Sequence, residues 1–132
     1  MVKVERVKDT TKEDKPVFSR PKEKIYEIKD DLGRKIEMRW PSQRAENYYP
    51  TLFSAQEAEN AAFMTSVRPY VFVKSIDGNE VDMFLNKNDL DALMDILGRE
   101  GKAAIDVGYL RWFAQEEVKI QQTLGDEVKK WR

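Results

Sequence analysis

The chain of 132 residues contains no histidine and no cysteine. The first absence removes the side chain most used for proton transfer near neutral pH. The second removes disulfides and thiolate nucleophiles. Together they remove the ligands that zinc and most transition metals prefer. The six glycines are isolated, so there is no glycine-rich phosphate loop. No Gly-x-Ser-x-Gly elbow is present, and a serine nucleophile would lack its usual base. No apolar run approaches the ~18–20 residues that span a bilayer, and the segment MVKVERVKDT does not have the pattern of a signal peptide. The expectation is a soluble, intracellular protein with no cofactor, no metal and no membrane partner.

What is present is charge. Charged residues make up 36% of the chain, yet the net charge is −1. Residues 1–39 hold 12 Lys/Arg and 9 Asp/Glu, a balance of +3, and residues 40–132 hold 11 and 15, a balance of −4. That asymmetry is far from the strongly basic face of a nucleic-acid-binding protein. It does permit head-to-tail contact between copies, so a homo-oligomer is one of the partner classes carried forward.

The predicted organisation is a flexible arm over 1–23 and a single small domain over 24–132, of α+β class and mainly helical. The arm mixes charges of both signs with Pro16 and Pro21. Val17 and Phe18 form an apolar plug between those prolines and are candidate partner-binding residues, and Val2, Val4 and Val7 could add a strand to a neighbour. A β-hairpin is predicted over 24–40: Ile36, Met38 and Trp40 alternate with polar residues, and Asp30-Asp31-Leu32-Gly33 supplies the turn. Ser42 is read as the cap of a short helix that Pro50 ends. Ser54 to Glu57 is a capping box that opens a helix to about Val67.

Residues 69–85 have two readings, a second hairpin on Asp77-Gly78 or a continuation of the helix through Pro69, and periodicity favours the hairpin. Asn86 or Asn88 caps a helix with Leu90, Leu93, Met94 and Leu97 on one stripe, stopped at Gly98. A last helix is expected from Lys102 to Leu124, closed by Gly125. Three principal helices result.

The segment 105–114 carries the strongest candidate site. On a helix, Val107, Leu110, Ala114 and Val118 form one stripe, and Ile105, Tyr109, Trp112, Phe113 and Ile120 form another. Together they exceed the ~100° arc that a surface helix buries. The helix is therefore central to the core or shared with a partner, and Tyr109, Leu110, Trp112 and Phe113 are the candidate contacts. Trp131 either folds back or docks on a partner. Asp89, Asp91 and Asp95 read as a solvated acidic face rather than a calcium loop. The alternating aromatics of Arg68 to Lys74 would suit base stacking only if they were exposed.

The order of these segments resembles the tail assembly chaperones of tailed phages. The resemblance rests on Met38-Arg-Trp-Pro-Ser42 between hairpin and helix, on Ser75-Ile-Asp-Gly78 followed by Glu80-Val81, and on Asn88 to Leu93 before the aromatic helix Tyr109–Phe113. It covers roughly residues 25–115. The resemblance implies a non-enzymatic assembly factor that binds apolar helices of the tape-measure protein, or another tail protein, in the host cytoplasm. The rival readings are a structural virion subunit of tail, baseplate or connector, joined to its neighbours by the arm, and a single-strand nucleic-acid module.

Overall fold

Asp30 sets the first turn of the chain. Its carboxylate accepts the backbone N–H of Leu32 at 3.0 Å and of Arg34 at 2.9 Å, so the side chain substitutes for a backbone turn partner. The strands on either side are β1 (Tyr26–Lys29) and β2 (Lys35–Met38), paired antiparallel with Ile28 opposite Ile36. The computed structural model describes residues 22–131. Residues 1–21 of the arm, with Val17 and Phe18, lie outside the described residues.

The second hairpin also forms. Pro69 cannot continue the hydrogen-bonded ladder of a helix, and the chain passes into a 3₁₀ turn over Arg68–Phe72. Strands β3 (Val73–Ile76) and β4 (Asn79–Glu80) follow. Asp77 (φ 50°) and Gly78 (φ 83°) both take positive φ, as the two-residue turn of a twisted hairpin requires. The strands are shorter than expected, because Tyr70 to Phe72 are 3₁₀ and residues 81–85 lie beyond β4. Pairing of β2 with β3 joins the hairpins into one antiparallel sheet of order β1-β2-β3-β4.

The connecting helices are short. Ser42 accepts from the Ala45 N–H and opens α1 (Gln43–Tyr48); Pro50 then lies in a 3₁₀ turn over Tyr49–Leu52. The capping box of Ser54 and Glu57 is formed and opens α2 (Ala55–Glu59). The single helix expected to Val67 is instead interrupted at Asn60, whose side chain accepts the Phe63 N–H and starts α3 (Ala61–Val67). A short amide that bonds its own neighbouring backbone competes with the helix.

Asn86 caps the long helix α4 (Lys87–Trp112). Gly98 interrupts α4 with φ 63° and ψ −162°, a conformation that is essentially glycine-only. The expected stop is therefore a kink, and the helix resumes at once rather than at Lys102. Arg34 secures the kink by donating to the carbonyls of Ile96 and Leu97 at 2.7 Å each, while its Nε donates to Asp30 at 2.7 Å.

The expected last helix, Lys102 to Leu124, is also corrected. It breaks at Phe113 (φ −126°, ψ −34°), and a separate helix α5 (Ala114–Lys130) runs through Gly125 without ending there.

The core lies between the sheet and α4. Ile36, Met38, Phe72, Leu90, Leu97, Ile105 and Phe113 are buried in it. Gly108 allows the closest approach: a Cβ there would fall 2.6 Å from the Met38 sulfur and 2.9 Å from the Trp112 ring. The break at Phe113 accompanies the inward position of its ring, which lies 4.6 Å from Phe72, 5.3 Å from Trp40 and 5.4 Å from Tyr26, centroid to centroid. No helix among the described residues is long and apolar enough to cross a membrane.

Candidate functional site

The two stripes read from the sequence separate in space. Ile105 and Phe113 are enclosed in the core, Tyr109 is half-buried, and Trp112 stacks on Tyr26 at 4.8 Å with a 17° interplanar angle. Phe113 is 0% exposed, so its candidacy as a partner contact is corrected: the ring belongs to the protein's own core. Val107, Leu110 and Val118 face outward, with Leu110 67% exposed. Trp131 does not fold back; it stands 85% exposed at the end of α5.

Among the described residues, α5 carries a run of exposed apolar side chains. Ile120, Leu124, Val128 and Trp131 are all more than half exposed and fall at i, i+4, i+8 and i+11. At ~100° per residue they share one side with Glu117 and Gln121. The opposite side holds Lys119, Gln122, Asp126 and Lys130, while Glu116 and Glu127 border the stripe beside Ile120. The helix is thus patterned to bury one face, yet every residue from Val118 to Trp131 is exposed. The sequence signal for this was present in the spacing of Ile120, Leu124 and Val128. Gly125, a residue that commonly ends helices, obscures it.

The root of α5 is fixed by a cluster the sequence did not reveal. Arg68 sits at the junction of α3 and the following 3₁₀ turn. Its guanidinium donates to both oxygens of Glu46 on α1 at 2.9 Å each. It also donates to Glu117 on α5, at 2.5 Å from Nη2 and 3.2 Å from Nε. The Tyr109 hydroxyl on α4 donates to the same Glu117 carboxylate. The guanidinium lies over the Tyr49 ring, 4.9 Å from its centroid. One planar fork of donors therefore ties three helices together. No spacing rule connects positions 46, 68, 109 and 117.

The electrostatics of the cluster are mutually reinforcing. Burial works against the Arg68 charge, but hydrogen bonds and charges from Glu46 and Glu117 outweigh it and raise its pKa. Burial likewise opposes ionisation of Glu117, and the hydrogen bonds from Arg68 and Tyr109 outweigh that and hold the carboxyl below its ordinary value. Burial, then the bond to Glu117, push the Tyr109 phenol up. Near neutrality the cluster is an ionised clamp with a protonated phenol. Beside it opens a cleft of about 430 Å³ lined by Glu46, Met64, Thr65, Tyr109, Glu117 and Gln121 among others. Glu117 and Gln121 lie on the apolar side of α5, so cleft and stripe form one continuous surface.

Tyr70 and Phe72 are buried and Val71 is half-buried, so Arg68 to Lys74 offers no stacking platform for bases. Among the described residues, no group of three Asp or Glu side chains is arranged to hold a metal ion. No family model, no curated protein and no solved structure matches this chain.

Proposed function

We propose that this protein is a non-enzymatic assembly factor that grips an apolar helix of another polypeptide on the exposed face of α5. Its most specific form is a phage tail assembly chaperone whose client is the tape-measure protein. One observation carries the reading: an amphipathic helix anchored at its root by Arg68 leaves Ile120, Leu124, Val128 and Trp131 in solvent. A soluble monomer rarely leaves such a face uncovered without a binding role. Trp131 supplies the large amphipathic side chain favoured at interface hot spots.

The narrower reading draws its support from the quoted motifs. Met38 to Ser42 carries the chain from β2 to the cap of α1, and Ser75 to Gly78 carries it from β3 into the hairpin turn. The resemblance thus falls at changes of element, where residue type is constrained by backbone geometry. A charge content of 36% keeps a protein with an open apolar face in solution. Several such proteins along one long helical client would add weak contacts by multivalency.

Coexpression with helical fragments of the tape-measure protein tests the proposal. The expected result is that the fragments stay soluble and co-elute with the protein, and that L124D with V128D releases them into aggregates. Fragments that aggregate equally with and without the protein would contradict it.

A further inference from the structure

We infer that the apolar face of α5 pairs with the same face of a second copy, antiparallel, with Trp131 of each copy seated in the Arg68 cleft of the other. The inference goes beyond client binding and does not depend on it: it concerns what covers the stripe when no client is present.

Three features of the structure select a second copy. The first is register. The exposed apolar residues are symmetric about Leu124: Ile120 lies four residues before it and Val128 four after. In an antiparallel pair centred there, Leu124 faces its counterpart and Ile120 faces Val128. A two-fold interface requires such self-complementarity.

The second is charge. The first turn of α5 carries Glu116 and Glu117 and no basic residue, while the last turn carries Lys129 and Lys130 against the single acid Glu127. Antiparallel pairing sets the acidic root of one helix against the basic tip of the other, and parallel pairing sets like against like. The helix dipoles favour the same orientation. At the root, Glu46 and Glu117 carry two negative charges against the single positive charge of Arg68, so the cleft is net negative where the basic tip arrives.

The third is the cleft. The same register brings Trp131 opposite Glu117, which forms the cleft wall with Tyr109. The volume of about 430 Å³ accommodates an indole. Each seated tryptophan adds about 150–250 Å² of buried surface. This matters for a helix pair that must approach the roughly 1,200 Å² of a stable interface. The interface is therefore modest, with an expected dissociation constant in the micromolar range.

Single-cysteine variants test the inference in the full chain, which has no cysteine of its own. The positions used are exposed, so folding is preserved and is checked by circular dichroism. Under mild oxidation L124C is expected to form a covalent dimer by itself. I120C and V128C are each expected to remain uncrosslinked alone and to crosslink when mixed. In sedimentation equilibrium, W131A is expected to weaken the dimer about tenfold. A chain that stays monomeric throughout with no crosslink at any position would overturn the inference. So would self-crosslinking of I120C and V128C as ready as that of L124C, which is the pattern of a parallel pair.

Discussion

Tyr109 on α4 and Glu117 on α5 are joined by a hydrogen bond that spans the helix break at Phe113. The same carboxylate is held by Arg68 from a third direction. The direction in which α5 leaves the body is therefore set by side chains rather than by a continuous helix. Arg68→Ala would leave Glu46 and Glu117 facing each other without a cation. The expected cost is about 1–3 kcal/mol in denaturant unfolding, since the pairs are only partly enclosed. Tyr109→Phe should cost less, about 0.5–1.5 kcal/mol. Limited proteolysis should show faster cleavage between α4 and α5 in Arg68→Ala, with the body of the protein unaffected.

Acid should weaken the fold through two carboxylates. Asp30 is held below its ordinary value although burial pushes it up, because the backbone and side chain of Arg34 and the Leu32 N–H all favour its ionised form. Glu117 is lowered in the same sense. The unfolded chain takes up these protons first, so stability rises with pH across the carboxylate range. The contribution is fully present above the ordinary carboxyl values of about 4 to 4.5 and is lost as pH falls below them. With no histidine or cysteine, the melting temperature should be flat from about pH 6 to 9. Glu117→Gln should remove part of the acid-side fall and leave the plateau flat.

The Gly98 kink depends on Arg34. Its guanidinium serves two helix carbonyls and the Asp30 carboxylate at once. Arg34→Ala should cost about 1–3 kcal/mol, because two carbonyls and a closed-off carboxylate lose their donor together. Arg34→Lys should recover little of this, since one ammonium cannot reproduce the fork. Amide exchange at the end of the first half of α4 should quicken in both variants.

Local chemistry made much of the fold legible. The Asp30–Gly33 and Asp77–Gly78 turns, the caps at Ser42, Ser54 and Asn86, and the stripe of Leu90, Leu93 and Leu97 depend on residues within a few positions of one another. Gly98, Phe113 and Gly125 each have a local preference that tertiary context settles, whereas the break at Asn60 is itself local, its amide accepting the Phe63 N–H. Asn60 broke a helix that its neighbours favoured. Gly98 kinked α4 because Arg34, 64 positions away, caps the kink. Phe113 left helical geometry where its ring packs among three others. Gly125 stayed helical at a cost of about 1 kcal/mol relative to alanine.

The candidate site was legible only in part. Of the expected contacts, Leu110 and Trp131 are exposed, while Phe113 is enclosed. Helical periodicity finds an apolar face but cannot say which part of it the body covers. The Arg68 cluster was invisible because its members come from four segments.

The central claim is that the outward face of α5 exists to hold another helix, and calorimetric titration tests it most directly. A synthetic apolar helix from the tape-measure protein would be added to the wild-type protein and to L124D with V128D. Saturable binding with a negative heat-capacity change is expected, weakened at least about tenfold in the variant. Equal binding to both proteins, or binding to neither, would contradict it.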